Sequence, residues 1–407
     1  MTKSALPKGW RLVKFGDVVD NMNETTRDPA SMSLDRVVGL DHMDPESLHL
    51  KRWDNFSDLH EGTSFTRVFR SGQVLFGKRR AYQRKVSVPD FDGICSGDIL
   101  VFQPKNEELL SEFLPFLVQS DGFFDHALGT SAGSLSPRTK WQELAKYEFA
   151  LPPIAEQHRI IKLMLAIDDS VEEILQLGRV LSECKRSLFS AAVRGRSAST
   201  SLAWGEVSSA IPVVKLGSVC AITRGSSPRP KGDPRYFSIA RTPHHWIMIA
   251  DLARSKKGKF LTDTVQFLTA AGVKKSRKVE PGTLLLTNCA TVGVPVFSGI
   301  SGCVHDGFLL FEPQAKELSK EFLFRMLEHL TEWFPSISQT GTQANLNTGI
   351  LKDLEIPLLS VIEQEIIVNQ LDMLDSLSQA TETQLSSLKA LRGALLSSVL
   401  VNDYENV

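Results

Sequence analysis

Residues Leu151 to Leu177 read LPPIAEQHRIIKLMLAIDDSVEEILQL, and this stretch decides the fold. After the two prolines, apolar residues recur at steps of three and four positions, a spacing that keeps one apolar seam on a helix. The seam comprises Ile160, Met164, Ile167, Val171, Ile174, Leu181 and Leu188. The pattern therefore predicts one long helix that buries this seam against a partner.

A second copy of the pattern stands near the C-terminus, where residues Pro357 to Leu377 read PLLSVIEQEIIVNQLDMLDSL. Glu363-Gln364 repeats Glu156-Gln157 at an offset of 363 − 156 = 207 positions. The second seam comprises Ile367, Leu371, Leu374, Leu385, Leu388, Leu395 and Val399. We infer a tandem duplication in which each half ends in a long helix.

An apolar seam on a lone helix would be left in water, so we expect the two helices to pair as a coiled coil. Each would extend about 60 Å if it contained roughly 40 residues at 1.5 Å per residue. The predicted fold class is α+β: two similar α/β domains, separated by two long antiparallel coiled-coil helices, in a pseudo-twofold tandem repeat. The alternative is one large domain with two unrelated core helices.

Shorter segments also occur twice and extend the repeat over the whole chain. The corresponding pairs are LVKFGDV (12–18) with VVKLGSV (213–219), SGQVLF (71–76) with PGTLLL (281–286), and YEFAL (147–151) with LEIPL (354–358). We therefore divide the chain into a first domain (1–150), a first helix segment (151–200), a second domain (201–355) and a second helix segment (356–407).

The charge of the chain is balanced: its 407 residues include 46 Lys and Arg and 47 Asp and Glu, for a net charge of −1. This balance excludes a generally basic DNA-coating protein and leaves room for local basic surfaces. No apolar run approaches the ~20 residues that span a bilayer, and the N-terminus lacks the apolar core of a signal peptide. Five cysteines without CxxC spacing predict reduced thiols, a cytoplasmic location and no zinc site.

One strongly basic stretch stands out in the first domain. No Asp or Glu occurs between Gly62 and Pro89, whereas seven Lys and Arg residues do. Such a run binds phosphates by charge, while Arg, Gln or Tyr reaches base edges. The candidate DNA-binding residues are Lys78, Arg79, Arg80, Tyr82, Gln83, Arg84 and Lys85. The alternative is an ordinary solvated loop.

The same stretch contains a GxxxxGK match, from Gly72 to Lys78. Arg79 stands where a phosphate-binding loop needs Ser or Thr for magnesium, and the four residues between the glycines are strand-like. We therefore predict a core strand that leads into a basic loop, and no nucleotide site.

The second domain distributes its basic residues differently, over ITRGSSPRPKGDPRYF (222–237), over residues 254–259 and over KKSRK (274–278). The candidate DNA-binding residues here are Arg229, Lys231, Arg235, Asn288, Thr291, Gln343 and Asn345. A shared frame with different polar chemistry indicates two modules that read different things.

Motifs of a self-sufficient enzyme are missing from the sequence. It has no FxGxG loop with a DPPY or NPPY tetrapeptide, and no HExxH. Pro89-Asp90 finds its first Glu-x-Lys only at Glu183 to Lys185, far away on the first long helix. We therefore predict no catalytic residue, no metal site and no cofactor site in this chain.

Several of these motifs together resemble the DNA-specificity subunit of type I restriction-modification systems. The resemblance is carried by LPKGW (6–10), GTSAGSLS (129–136) with GTQANLN (341–347), LPPIAEQHRII, PLLSVIEQEII and GSSPR (225–229). One departure is Leu358-Leu359-Ser360 where the first copy has Pro152-Pro153, so a less sharp start is expected for the second helix.

The resemblance implies two target recognition domains, each reading half of a split double-stranded DNA target. It also implies that the helices act as a spacer and dock two modification (methyltransferase) subunits, with restriction subunits as optional further partners. S-adenosylmethionine, ATP and Mg are then expected on those partner subunits. Two other function classes stay open at this point: a coiled-coil structural adaptor without DNA readout, and a nuclease or methyltransferase acting alone.

Overall fold

The computed structural model of the chain describes most of its residues. The described ranges are 4–59, 64–132, 137–193, 198–201, 205–208, 210–253, 258–338, 346–399 and 404–405. The chain divides into two compact units. Unit 1 comprises Met1–Leu177 with Thr381–Val407, and unit 2 comprises Gly178–Ala380.

Unit 1 is built mainly from short strands and short helices that precede the first long helix. Its strands are β1 (Ser4–Ala5), β2 (Arg11–Lys14), β3 (Val19–Met22), β4 (Arg36–Val38), β5 (Asp54–Asn55), β6 (Arg67–Phe69), β7 (Val74–Gly77), β8 (Val86–Ser87), β9 (Gly93–Cys95), β10 (Ile99–Pro104) and β11 (Glu148–Leu151). Its helices are α1 (Phe15–Val18), α2 (Leu114–Gln119), α3 (Asp121–Gly129) and α4 (Trp141–Leu144), followed by α5 (Ile154–Val193), which continues into unit 2.

Unit 2 repeats this plan with more strands. They are β12 (Ala198–Ser201), β13 (Gly205–Ser208), β14 (Val213–Lys215), β15 (Cys220–Arg224), β16 (Phe237–Ser238), β17 (His245–Ile247), β18 (Phe260–Leu261), β19 (Gln266–Leu268), β20 (Arg277–Val279), β21 (Leu284–Thr287), β22 (Pro295–Ser298), β23 (Gly302–Val304), β24 (Phe308–Pro313) and β25 (Glu355–Pro357). Its helices are α6 (Leu216–Val219), α7 (Ile249–Leu252), α8 (Ala270–Val273), α9 (Lys320–His329), α10 (Phe334–Ile337), α11 (Thr348–Asp353) and α12 (Val361–Val399), which continues into unit 1 and is followed by β26 (Tyr404–Glu405).

The two main sheets of each unit have related strand orders, with four strands per sheet in unit 1 and five per sheet in unit 2. Unit 1 has the orders β3-β10-β7-β8 and β5-β4-β9-β6, and unit 2 has β15-β24-β21-β22-β18 and β16-β19-β17-β23-β20. In each unit a long central strand, β10 or β24, pairs antiparallel with two neighbours. Strand β7 is buried along its whole length and leads into the 78–85 loop, which confirms the prediction of a core strand at the GxxxxGK match.

Both long helices have the predicted length and bury the predicted seam. Helix α5 has 40 residues and α12 has 39. The buried seam residues are Ile160, Met164, Ile167, Ile174, Leu181, Ile367 and Leu371. The partly buried ones are Val171, Leu188, Leu374, Leu385, Leu388 and Leu395, while the side chain of Val399 lies outside the described part.

An ion pair between α5 and α12 occurs in each unit at matching repeat positions. In unit 1, Arg392 Nε donates to Asp168 Oδ1 at 2.6 Å, and in unit 2, Lys185 Nζ lies 2.5 Å from Asp375 Oδ1. Since 375 − 168 = 207 and 392 − 185 = 207, the two pairs use equivalent positions with the helices exchanged. Such exchange is the signature of a twofold-related pairing. The early part of α5 pairs with the late part of α12 and the reverse, so the helices are antiparallel.

A buried glutamine fixes the start of each long helix to its own module. Gln157 Oε1 accepts from the Leu110 N–H at 2.9 Å, and its Nε2 donates to the Glu108 carbonyl at 2.8 Å. Gln364 does the same with the Ser319 N–H at 3.0 Å and the Glu317 carbonyl at 2.6 Å. We call this glutamine contact the helix-to-module clamp. Both units have it, and the Glu-Gln repeat of the sequence marks its position.

The second helix starts as sharply as the first, although it lacks the two prolines. Ser360 Oγ donates to Glu363 Oε2 at 2.6 Å, the Ser360 N–H donates to the same oxygen at 2.9 Å, and the Glu363 N–H donates back to Ser360 Oγ at 3.4 Å. This reciprocal arrangement is a capping box. The capping box therefore gives the second helix a sharp start, although Leu358-Leu359-Ser360 stands in place of the two prolines.

Two sequence expectations concern the chain as a whole. All five cysteines are free, as predicted. Among the described residues, no helix combines the length and the apolar character that crossing a membrane requires.

Candidate nucleic-acid interface

Backbone hydrogen bonds join the basic loop of unit 1, residues 78–85, to two other segments of the unit. The Lys78 N–H donates to the Asp98 carbonyl at 3.0 Å, and the Lys78 carbonyl accepts from the Thr139 N–H at 3.1 Å. The Arg80 N–H donates to the Pro137 carbonyl at 2.9 Å. Arg80 has a φ of +54°, a left-handed conformation that non-glycine residues adopt rarely and mostly at functional loops.

The predicted residues of this loop differ in their accessibility. Arg80 is exposed, and Tyr82 is 57% exposed. Gln83 and Lys78 are partly buried, and burial together with the nearby Arg67 charge lowers the pKa of Lys78. Arg80 and Tyr82 are thus accessible to a ligand, and Lys78 and Gln83 are accessible in part.

Arg84 and Lys85 make contacts of their cationic groups within the unit. Arg84 Nη2 donates to the Gln119 carbonyl at 2.8 Å, and its guanidinium lies 4.5 Å from the Phe124 ring centre. Lys85 Nζ donates to the Leu40 carbonyl at 2.6 Å. Both residues stay predictions, as does Arg79, which is ion-paired within the same unit.

Asp98, directly before β10, gathers two arginines at the loop. Arg138 Nε donates to Asp98 Oδ1 at 2.8 Å and Arg138 Nη2 to Oδ2 at 3.4 Å, while Arg79 Nη1 lies 3.3 Å from Oδ2. The hydrogen bonds from Arg138, followed by those from Arg79, outweigh partial burial and lower the pKa of Asp98. The carboxylate is therefore ionised at neutral pH and holds both guanidinium groups in place.

Unit 2 has the same backbone frame at the equivalent place. The Asn288 N–H donates to the Gly307 carbonyl at 2.9 Å, and the Asn288 carbonyl accepts from the Leu346 N–H at 2.9 Å. Ala290, at 290 − 80 = 210 positions from Arg80, also has a positive φ, +59°. The two units therefore share this loop architecture even though their sequences in the loop differ.

The side chain of Asn288 is only 1% exposed, and its Nδ2 donates to the Asp306 carbonyl at 3.2 Å. A buried amide in this position supports the loop rather than contacting a ligand. Thr291 is exposed, whereas Gln343 and Asn345 lie outside the described residues.

The GSSPR segment of unit 2 packs closely against the residues that precede β24. A Cβ on Gly225 would lie 2.1 Å from the His305 carbonyl oxygen, so only glycine allows this approach. Ser276 Oγ donates to the Ser226 carbonyl at 2.5 Å, and Ser226 Oγ donates to the Lys275 carbonyl at 3.3 Å. The structure thereby joins GSSPR to KKSRK, whose Lys274, Lys275, Arg277 and Lys278 are at least partly exposed.

In unit 2, Asp306 binds several polar and basic side chains, as Asp98 does in unit 1. Ser227 Oγ donates to Asp306 Oδ1 at 2.5 Å, and Arg229 Nη2 lies 3.4 Å from Oδ2. Arg224 Nε donates to the Asp306 carbonyl at 2.7 Å. Partial burial alone would raise the pKa of Asp306, but the Ser227 hydrogen bond and the His305 and Arg224 charges outweigh it and lower the pKa.

Lys231 and Arg235 complete the predicted set of unit 2. Both are exposed. Burial lowers the pKa of His305, and the charges of Lys231, Arg229 and Arg224 lower it further against the opposing effect of Asp306. Arg235 forms a two-pronged ion pair with Asp233, with its Nη2 2.6 Å from Oδ2.

Some residues of these clusters were missed by sequence reasoning. Asp98, Arg138 and Asp306 belong to no recognisable catalytic or binding motif, whereas Ser227 and Arg224 lie in the quoted 222–237 stretch without being singled out; only the fold brings all five to the loops. Two signals were present: Arg138 follows the small-residue loop GTSAGSLS, and Arg224 immediately precedes GSSPR.

Comparison with protein families gives one match over most of the chain. The model described as "Type I restriction modification DNA specificity domain" matches residues 7–178 and 210–390. The chain is 26% identical over 238 residues to the type I restriction enzyme EcoDI specificity subunit of Escherichia coli, covering 54% of this chain and 51% of that protein. It is 20% identical over 433 residues to the MjaVIII specificity subunit of Methanocaldococcus jannaschii, covering 97% and 93%.

Solved structures share the fold. One is a chain from a study of complex assembly and conformational transition of the type I R-M system, at 24% identity and a TM-score of 0.64, covering 98% of this chain and all of that one. Another is the type I restriction-modification S subunit from M. genitalium, at 14% identity and a TM-score of 0.54, covering 99% and 100%.

Proposed function

Because the chain belongs to the type I restriction-modification DNA specificity family, we propose that each of its modules reads one half of a bipartite target in double-stranded DNA. The observation that carries this proposal is the shared loop frame with different side chains. Lys78 and Asn288 have the same backbone pairing, yet the first loop carries Arg79 and Arg80 beside Arg138, whereas at the second loop Asp306 contacts both Asn288 and Ser227 of the GSSPR segment.

Charge distribution supports DNA as the ligand. The chain has a net charge of −1, so the basic 78–85 loop of unit 1 and the joined GSSPR and KKSRK segments of unit 2 stand against a neutral background. Lys and Arg at such an edge bind phosphates, while a few side chains that reach base edges supply sequence discrimination.

The long helices are the proposed docking surface for two methyltransferase subunits. Besides the buried seam, they carry large apolar side chains that are at least partly in solvent. These are Ile154, Leu163, Leu165, Leu175, Leu177 and Val180 on α5, and Val361, Ile362, Ile366, Met373, Leu377 and Leu391 on α12. Apolar residues concentrated on an exposed surface mark protein interaction sites. Restriction subunits would join through the methyltransferase subunits.

Catalysis is assigned to the partner subunits in this proposal. The chain is then non-catalytic and needs no cofactor of its own, while S-adenosylmethionine, ATP and Mg bind to the partners. We further propose a cytoplasmic location, which suits five unpaired cysteines.

Mapping of methylated adenines tests the proposal. In cells that carry this chain with its modification subunit, we expect methylation at a two-part motif with a fixed gap, and loss of that methylation when the chain is deleted. Methylation that does not depend on the chain would contradict the proposal.

Salt titration separates the specificity subunit from a structural adaptor. Phosphate contacts make duplex binding fall steeply as ionic strength rises. An assembled complex that binds its mapped target no better than unrelated duplex at every salt concentration would favour the adaptor.

A further inference from the structure

We propose that Arg138 reads a guanine in the half-site of the first module, and that Asp98 is the positioning residue that orients it. This inference rests on the proposed function, and it names a reading residue that the basic stretch of the sequence does not contain. It concerns the described residues of unit 1 alone.

Asp98 binds one edge of the Arg138 guanidinium group, and the other edge stays open to a ligand. Nε and Nη2 point at the two oxygens of Asp98, at 2.8 and 3.4 Å. A guanidinium has five N–H donors in a rigid fork. The edge formed by Nη1 and the second Nη2 hydrogen is therefore directed away from the carboxylate, and the side chain is 49% exposed.

That remaining edge matches a guanine. Two parallel N–H donors fit the O6 and N7 acceptors that guanine presents in the major groove, and this pairing is the commonest base-specific contact of arginine. Adenine presents the N6 amino group, a donor, in place of O6. An arginine N–H would then face another donor and could form no hydrogen bond there. The discrimination therefore follows from the fork geometry.

The backbone holds Arg138 as firmly as the carboxylate does. Its N–H donates to the Ala132 carbonyl at 3.0 Å, and its carbonyl accepts from the Ala132 N–H at 3.1 Å. Neighbouring Thr139 and Pro137 bond to Lys78 and Arg80 of the basic loop. A side chain that is already ordered loses less conformational entropy on binding, which favours a reading role.

The competing role for an exposed arginine is a phosphate contact. A phosphate contact adds affinity for every sequence and contributes about one unit to the salt slope of binding. A base contact adds affinity for one sequence at one position. The two roles are therefore distinguished by a scan over target positions.

The experiment uses the chain assembled with its modification subunits, and the bipartite target found by adenine-methylation mapping. Competition binding is measured against duplexes in which each base pair of both half-sites is replaced in turn. The variants are Arg138→Ala, Arg138→Lys and Asp98→Asn, with Arg52→Ala as the control. Arg52 is an exposed arginine of the same unit, paired with Asp44 at 2.6 Å.

We expect Arg138→Ala to remove a preference of about 10- to 100-fold for one G·C pair in one half-site, with the other positions unchanged. Arg138→Lys keeps the charge and lacks the fork, so discrimination at that pair should also fall. Asp98→Asn should weaken the same position by a smaller factor, and Arg52→Ala should change no position. Arg138→Lys and Asp98→Asn serve as the test if Arg138→Ala does not fold.

Three results would overturn the assignment. They are a uniform loss of affinity at all positions with a salt slope reduced by about one, no change in any variant, or a mapped motif whose half-sites contain no G·C pair. A wild-type complex without any two-part motif would instead remove the proposed function itself.

Discussion

The two units share the contacts that hold the long helices, and they differ in the side chains of their solvent-exposed loops. Both clamp a long helix with a buried glutamine, and both join α5 to α12 through an ion pair at equivalent repeat positions. At the loop edge, by contrast, Asp98 gathers two arginines, whereas Asp306 gathers a serine, a histidine and two arginines. A duplicated frame therefore allows the reading surfaces to diverge without disturbing the junctions.

One position near the contact between the long helix and its module differs between the two units. The clamp contacts align Leu110 with Ser319, an offset of 209, so Phe116 in unit 1 corresponds to Arg325 in unit 2. Phe116 is buried among apolar residues. Arg325 is only 2% exposed and is held by Glu328, Asp372 and Asp375. Burial alone would lower the pKa of Arg325, but these carboxylates outweigh it and raise the pKa.

The largest expected effect is at this position. Arg325→Met should destabilise unit 2 by about 3 kcal/mol, the lower end for breaking a buried pair, because the buried guanidinium is lost while the half-exposed Asp372 and Asp375 keep Lys259 and Lys185 as partners. Thermal unfolding of the purified chain measures the loss. Phe116→Met is the matched control, and we expect it to cost less than about 1.5 kcal/mol, as an apolar swap. Equal effects of the two substitutions would remove the contrast between the junctions.

The next effect tests the similarity of the two clamps. Gln157→Leu and Gln364→Leu each leave a buried N–H and buried carbonyls unpaired, so each should lower the free energy of unfolding by roughly 2–4 kcal/mol. The two losses should be similar because the partners are equivalent. Denaturant unfolding of both variants gives the comparison, and a loss at only one of them would show that the clamps are not functionally equivalent.

The reading loops should behave independently. Arg79→Ala with Arg80→Ala should reduce discrimination in one half-site about 100-fold, and Arg229→Ala with Lys231→Ala should do so only in the other. Competition binding with half-site-scrambled duplexes measures both, and co-purification with the modification subunit checks assembly. A double variant that weakens both half-sites equally would contradict separate reading by the two modules.

The smallest effect concerns the helix starts. Ser360→Ala removes the capping box and should cost about 1 kcal/mol at pH 7. The Ser360 side-chain and backbone hydrogen bonds lower the pKa of Glu363 from 4.5. A lowered carboxyl pKa stabilises the fold above pH 4.5, and this contribution is lost as the pH falls through the lowered value. The difference between Ser360→Ala and wild type should therefore shrink in acid, as thermal unfolding at several pH values will show.

Periodicity predicted the helices well because burial of a seam imposes a strict spacing. The seam spacing and the length of about 40 residues follow from that requirement, and the structure has helices of 40 and 39 residues that bury seven of the seam residues. The repeat of Glu-Gln was visible in sequence, but its meaning was not. Only the fold shows that Gln157 and Gln364 bind backbone groups of their own modules.

Which loop residues contact DNA stays a prediction, because composition does not show where a charge is used. Arg84 and Lys85 belong to a basic run and yet bond to Gln119 and Leu40 within the unit. Arg138 stands far from that run and is brought to it by backbone pairing with residues 78–80. Nonlocal contacts of this kind leave no periodic pattern in the sequence.

The central claim is that two dissimilar reading modules are set apart by one pair of helices. The most direct measurement is adenine-methylation mapping after one heptad is inserted into each helix, between Gln176 and Leu177 and between Thr383 and Gln384. These points lie midway between the two ion pairs, since 168 + 392 = 185 + 375 = 560. A heptad keeps the seam in register and adds about 10 Å, which is roughly three base pairs. We predict unchanged half-sites with a wider gap; altered half-sites, or the original gap, would contradict the claim.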